Sequence, residues 1–318
     1  MRKLFFSNSI THIRWLQQSY TDETPMAYRN AFDKKEHPKI VVSKFGEVKP
    51  QQIDYILGIL EECYGRLEPH EVALVDLYFF EKSSSIDAFM AKESKDVGVV
   101  SASFDELFFA MHDAFRGTSR IMICLQRMKK LPRLVQVGGI RHEVGHSVLH
   151  GNLLYYLLPL PPLLCDLVNR FNISREYATS LLYLISIAVK DCEVSRLLYE
   201  RGYVEDQMAY AKHLLMVTES DKLSWKMSTG RPLAEILCLV SCLKTAGCVA
   251  PFLVDKTFGD EMKRLLAESL AYLPAEFSTS LLNTIQDGFP PLGTDTLSRI
   301  NHVAYLVMER IVKPLLLS

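Results

Sequence analysis

The distribution of apolar and polar residues is mixed in the first half of the chain and helical in the second. From Pro50 to Tyr64 apolar residues recur at intervals of three and four, which predicts a helix that ends at Gly65. Shorter apolar runs rich in β-branched and aromatic residues predict strands. These are Lys39–Ser43, Val72–Phe80, Val97–Ser103 and Ser119–Leu125. A further helix is predicted at Phe104–Phe115, between the last two strands.

After Gly151 the apolar spacing is helical almost throughout. Ser174 is a suitable N-cap for a long helix that runs to about Arg201. Further helices are predicted at Glu205–Val217, Leu233–Thr245, Glu261–Tyr272 and Thr296–Ile311. The polar stretch Met216–Arg231 predicts a boundary between domains at residues 1–218 and 219–318. The chain is therefore predicted to have an α+β fold, with a small mixed sheet followed by a mainly α-helical C-terminal region.

The segment 142–146 reads His-Glu-Val-Gly-His, and no proline interrupts the predicted helix around it, Arg133–His150. Two histidines four residues apart lie on the same side of a helix, so His142 and His146 can bind one metal ion. Glu143 is offset around the helix, which suits a general base acting on a metal-bound water. The uncharged neighbours argue against a surface helix that carries two histidines by coincidence.

A catalytic zinc site needs a third protein ligand. The extended motif, with a third histidine ten residues after the first, has asparagine at that position here. His150 is eight residues from His142 and therefore lies about 80° around the helix from it. The remaining source is the long downstream helix, where Glu193 is the candidate and Asp191 competes with it. Alternatively, these acids mark the point at which the helix reaches solvent. Residues two apart differ by about 200° on a helix, so only one of them can face the site.

These residues resemble the zincin metallopeptidases, in particular the gluzincin branch, which pairs His-Glu-x-x-His with a glutamate on a following helix. The resemblance implies a zincin-like catalytic domain that binds Zn²⁺ through His142, His146 and Glu193. It implies that Glu143 is the catalytic base. It also implies that the strand Ser119–Leu125 lies along the cleft and pairs with an extended peptide substrate.

The resemblance extends from Lys39 to Gly202, and the chain departs from it at Leu197. Many gluzincins have an aspartate there that orients the first histidine. Asp191, Asp166 or a backbone carbonyl are the alternatives for this role. The candidates for stabilising the oxyanion are Tyr199, Tyr203 and His213.

Composition narrows the range of partners and compartments. The net charge of -1 gives no support for a nucleic acid or an anionic membrane as the main partner. The seven cysteines form no CxxC pair, which is typical of buried free thiols in a reducing cytosol. No convincing signal peptide is present, and the apolar runs Leu153–Leu164 and Tyr177–Val189 are shorter than a bilayer-spanning helix. We expect a soluble cytoplasmic protein, with a peripheral membrane contact at Leu153–Leu164 kept as an alternative.

The function expected from the sequence is zinc-dependent hydrolysis of peptide bonds in a peptide or protein substrate. Zinc would activate a water molecule, and Glu143 would accept its proton and transfer it to the leaving amine. The alternative is a metal-binding scaffold of zincin-like fold that binds a protein partner without hydrolysis. The intact glutamate of the motif favours the enzyme, because a purely structural zinc needs no base.

Overall fold

The computed structural model describes residues 37–97, 107–114, 116–289 and 295–317, which all belong to one compact unit. Its strands are β1 (Lys39–Phe45), β2 (Leu74–Phe80), β3 (Ala110–Asp113) and β4 (Ser119–Cys124). The helices of the first half are α1 (Pro50–Leu67), α2 (Ser83–Val97), α3 (Leu125–Met128) and α4 (Arg133–His150). Those of the second half are α5 (Pro162–Phe171), α6 (Arg175–Glu200), α7 (Glu205–Leu214), α8 (Glu219–Ser228), α9 (Pro232–Val249), α10 (Gly259–Ser269), α11 (Ala275–Gly288), α12 (Thr296–Val307) and α13 (Lys313–Leu317). Short 3₁₀ segments lie at Leu153–Tyr155 and Ala250–Phe252, and a π-helical segment, Met308–Val312, joins α12 to α13.

The four strands form one mixed sheet in the order β1-β2-β4-β3. β1, β2 and β4 are parallel, whereas β3 is antiparallel to β4. The expectation that Ser119–Leu125 pairs with a substrate is therefore wrong. β4 already forms backbone hydrogen bonds on both of its sides, and β3 is the edge strand next to it.

The helix predicted at Phe104–Phe115 is wrong where the structure describes it, because Ala110–Asp113 forms β3. Pairing with β4 through backbone hydrogen bonds overrides the local pattern in this short segment. Val97 ends α2, and the rest of the strand predicted at Val97–Ser103 lies outside the described residues. The other predicted strands and the helices α1, α4 and α6 are present within a few residues of their predicted bounds. The mixed α+β class is thus confirmed.

Two buried clusters of apolar side chains form the core, and α6 contributes to both. One cluster packs α1 and α4 against the sheet and includes Ile121, Val144 and Val194. The other packs α6 against α9, α11 and α12 and includes Leu181 and Ile236. This second core contains side chains from both sides of the boundary predicted at residue 218. Helix α8 occupies most of the polar stretch there.

Helix α4 and helix α6 approach closely at the glycine of the His-Glu-x-x-His motif. A Cβ atom at Gly145 would lie 2.6 Å from Cγ1 of Val194, which is closer than side-chain atoms pack. Gly145 therefore lets the two helices meet with the motif facing the polar residues of α6. Gly145 is thus both a residue of the motif and a point at which α6 packs closely against the backbone of α4.

Within the described residues, one helical segment, Pro232–Phe252, is long and apolar enough to cross a membrane by length and composition. The fraction of it buried inside the protein is 56%, and it includes α9, which packs against α6. The contact with a membrane expected at Leu153–Leu164 stays a prediction. Leu154 and Leu157 in that segment are exposed to solvent.

Candidate metal centre

Helices α4, α6 and α9 bring four potential metal ligands together inside the protein. His142 and His146 come from α4, Asp191 comes from α6 and Cys248 comes from α9. His142, Asp191 and Cys248 are buried, and the side chain of His146 is 12% exposed. We call these four residues the motif cluster.

Three residues of the motif cluster, His142, Asp191 and Cys248, have donor atoms close enough together to bind one metal ion, and His146 lies beside Asp191. Asp191 Oδ1 lies 3.0 Å from His146 Nε2 and 3.7 Å from His142 Nε2. Cys248 Sγ lies 3.9 Å from His142 Nε2, and the nearest donor atoms of His142, Asp191 and Cys248 are all within 4.8 Å of one another. Donors around a tetrahedral zinc ion lie about 3.3–3.6 Å apart, given its usual bond lengths. His142, Asp191 and Cys248 can therefore hold a metal ion.

The chemistry of these donors also suits a cation. Burial lowers the pKa of His146 to about 3, so that its imidazole is neutral at neutral pH. The pKa of Asp191 is also lowered, because its interactions with the adjacent imidazoles of His142 and His146 outweigh the burial that would raise it. The cluster thus contains an ionised carboxylate beside the neutral imidazole of His146, which is ligand chemistry that zinc prefers.

A second group of polar side chains lies one helical turn further along α4, and we call it the Glu193 cluster. Glu193 Oε2 accepts hydrogen bonds from His150 Nε2 and Thr296 Oγ1, both 2.9 Å away. Glu193 Oε1 accepts one from Arg299 Nη1 at 2.6 Å. These three hydrogen bonds lower the pKa of Glu193, although its burial alone would raise it.

Of the two candidate third ligands, the structure brings Asp191 to the motif histidines. Glu193, which the resemblance implied, is instead held by the three partners of the Glu193 cluster. The two acids point to different partners, as their separation around the helix requires. Asp191 approaches His142 on Nε2, so it does not orient that histidine from the Nδ1 side. His142 Nδ1 is buried and has no hydrogen-bond partner among the described residues.

Glu143, the predicted base, is buried between α4 and the edge strand β3. Burial, together with the nearby Asp191 carboxylate, raises the pKa of Glu143 well above its usual value. Lys244 and a hydrogen bond from the backbone of His112 act in the opposite direction. A carboxyl group with a raised pKa is suited to proton transfer near neutral pH.

No sequence pattern indicated His112 or Tyr156, which lie beside the motif cluster. The imidazole of His112 stacks on that of His146 with ring centroids 6.1 Å apart. His112 Nε2 is 2.8 Å from Ser119 Oγ, and His112 Nδ1 is 3.0 Å from the Tyr156 hydroxyl. His112 is a single histidine in a four-residue strand, so only its pairing with β4 places it beside the motif.

The three residues predicted as oxyanion stabilisers have other partners. Tyr199 hydrogen-bonds to Asp255 and Tyr203 to Glu62. His213 contacts the carbonyl oxygen of Leu107. The hydroxyl of Tyr156, in contrast, bonds His112, the histidine that stacks on His146.

No protein-family model, curated protein or solved structure matches this chain.

Proposed function

We propose that this protein is a zinc-dependent peptidase in which His142, His146 and Asp191 hold the metal and Glu143 is the general base. The observation that carries the proposal is the position of Asp191 Oδ1, 3.0 Å and 3.7 Å from the two motif imidazoles. The proposed ligand set keeps the zincin pattern but replaces the glutamate of the gluzincin branch by an aspartate.

The residues of the site divide the work of hydrolysis between them. A bound zinc ion supplies Lewis acidity, which lowers the pKa of water towards ~7 and polarises a substrate carbonyl. Glu143 accepts a proton from the attacking water and delivers it to the leaving amine. The hydrogen bond from the backbone of His112 orients the Glu143 carboxyl group for both transfers. Burial of the site excludes other water molecules and strengthens these electrostatic effects.

The edge strand β3 supports a peptide as the substrate. Among the described strands, β3 pairs with β4 alone. An extended peptide can add to such an edge through backbone hydrogen bonds. His112 lies in this strand, and its backbone contacts Glu143, so a peptide bound along β3 would pass close to the general base.

The direct test is the substitution Glu143→Gln, with peptide hydrolysis and metal content measured together. We expect zinc to stay bound and the rate of hydrolysis to fall by about 10²–10⁴-fold, since proton transfer is lost. The control is Glu219→Gln, which makes the same change at an exposed position on α8. A Glu143→Gln protein that hydrolyses peptides at the wild-type rate would contradict the mechanism.

A second candidate function is a metal-stabilised scaffold without catalysis, and Cys248 favours it. Four protein ligands are typical of structural zinc sites, and Cys248 is a fourth donor beside His142. The substitution Cys248→Ala separates the two functions. In a peptidase with three ligands it leaves zinc binding and hydrolysis in place. In a structural site it weakens zinc binding and lowers the melting temperature, and the wild-type protein hydrolyses no peptide.

A further inference from the structure

We propose that Glu193 and His150 position the metal ligand His146 and so connect the metal centre to α12. Three atom pairs form a continuous path, which we call the relay. Glu193 Oε2 is 2.9 Å from His150 Nε2, and His150 Nδ1 is 3.3 Å from His146 Nδ1. The far nitrogen of His146, Nε2, faces Asp191 Oδ1 at 3.0 Å. The inference deepens the proposed function, because it rests on a metal ion bound by His146.

The hydrogen-bonding capacity of each group fixes the direction of the relay. Glu193 accepts from Thr296 and Arg299, and an ionised carboxylate can only accept, so His150 Nε2 must donate to it. A neutral imidazole has one donor and one acceptor nitrogen, which makes His150 Nδ1 an acceptor. His146 Nδ1 must then donate to His150 Nδ1.

This direction leaves the lone pair of His146 on Nε2, the nitrogen that faces Asp191. A lone pair and a carboxylate oxygen 3.0 Å apart repel each other unless a cation lies between them. The relay therefore selects the tautomer of His146 that binds a metal ion. Metal-bound histidines commonly donate their other nitrogen to a carboxylate, which fixes the orientation of the ring. Here the His150 imidazole lies between that carboxylate and the ligand.

The relay also gives the helical C-terminal region a role at the metal centre. Thr296 and Arg299 lie on α12, about 100 residues after Glu193, and both hold its carboxylate. The guanidinium of Arg299 supplies the counter-charge that keeps Glu193 ionised and therefore an acceptor. Glu193 is thus a positioning residue, and α12 holds its carboxylate in place.

The first test compares two substitutions of His150 by their affinity for zinc, measured by competition with a chelator. His150→Gln keeps an acceptor for His146 and a donor for Glu193, whereas His150→Phe removes both. We expect the phenylalanine variant to bind zinc about 10–100-fold more weakly than wild type and the glutamine variant to stay within a few-fold. The control, Arg196→Gln, removes a hydrogen bond from α6 to the carbonyl of Phe289 without touching the relay.

The second test needs no substitution and is independent of any effect on folding. Nitrogen NMR of the zinc-loaded wild-type protein should show a proton on Nδ1 of His146 and on Nε2 of His150. The opposite tautomer of His150 would overturn the relay. Equal zinc affinities of wild type and a folded His150→Phe protein would overturn it as well.

The failure of the relay and the failure of the proposed function give different results. Zinc binding without hydrolysis by the wild type overturns the peptidase and leaves the affinities and tautomers to support or overturn the relay. Peptidase activity with the wrong tautomers overturns the relay alone. A wild-type protein that binds no zinc overturns both.

Discussion

The motif cluster and the Glu193 cluster lie one helical turn apart and differ in what balances their carboxylates. Asp191 faces two imidazoles and a thiol, whereas Glu193 faces an imidazole, a hydroxyl and the guanidinium of Arg299. The negative charge of a buried carboxylate that pairs with a guanidinium is already balanced. A buried carboxylate beside neutral nitrogen donors gains most from a bound cation. Two similar acids on α6 therefore differ in how far a bound cation would stabilise them.

The largest predicted effect is on the affinity for zinc, and it tests the difference between Asp191 and Glu193. We expect Asp191→Asn to weaken zinc binding by more than about 100-fold, because it removes the charged ligand. Glu193→Gln, the matched amide substitution, should weaken it by about 10–100-fold, because it disturbs only the relay. Chelator competition measures both affinities. Equal losses in the two variants, or a larger loss for Glu193→Gln, would return Glu193 to the place of third ligand.

The next effect is on the free energy of unfolding. It concerns the ion pair between Arg299 and Glu193, whereas Asp191 in the motif cluster faces imidazoles and a thiol. We expect Arg299→Leu to lower the free energy of unfolding by about 2–4 kcal/mol, since it leaves Glu193 buried with less charge compensation. Arg264→Leu is the control, because it breaks an exposed ion pair with Glu268 and should cost at most ~1 kcal/mol. Urea denaturation of the zinc-loaded proteins measures both. A cost for Arg299→Leu no larger than the control would show that this ion pair does not stabilise the fold.

The smallest effect is the pH dependence of the metal-free protein. Burial lowers the pKa values of His112, His146 and His150, so these imidazoles stay neutral in the folded state while the unfolded chain takes up protons below about pH 6.5. The raised pKa of Glu143 acts in the opposite direction for one proton. Averaged over pH 6.5 to 5.5 the three unfolded imidazoles take up about two protons and Glu143 offsets about one, so the free energy of unfolding should fall by about 1–2 kcal/mol.

Denaturation of chelator-treated protein at several pH values tests this dependence. The same measurement on His150→Gln should show a smaller decrease in the free energy of unfolding. One of the three imidazoles is absent, so the variant takes up about one proton fewer when it unfolds. Stability that stays constant or rises as the pH falls would contradict the assignment of neutral histidines.

The sequence predicted elements wherever the pattern was long and regular. The spacing of apolar residues located α1 and α6, and the concentration of β-branched and aromatic residues located β2 and β4. β3 was missed because four residues carry too little periodicity to outweigh the surrounding pattern. A strand of that length is stabilised by its pairing with β4 rather than by local preference.

The candidate site was predictable only where its geometry is local. His142, Glu143 and His146 share one helix, so their relative positions follow from the helical repeat alone. The choice between Asp191 and Glu193 depends on how α6 is rotated against α4. That rotation is set by the close approach of the two helices at Gly145. It is also set by the hydrogen bonds that Thr296 and Arg299 of α12 donate to Glu193.

The sequence by itself determined the mixed fold class, the helix that carries the motif and the pairing of two histidines with a glutamate. These features depend on residues within one or two helical turns of each other, where the backbone geometry is fixed. Only the tertiary structure decided which acid of α6 lies beside the motif histidines, the approach of Cys248 and the contact of His112 with the motif. Those contacts join residues 34 to 106 positions apart in the chain, and the packing of α4, α6, α9 and the sheet brings them together.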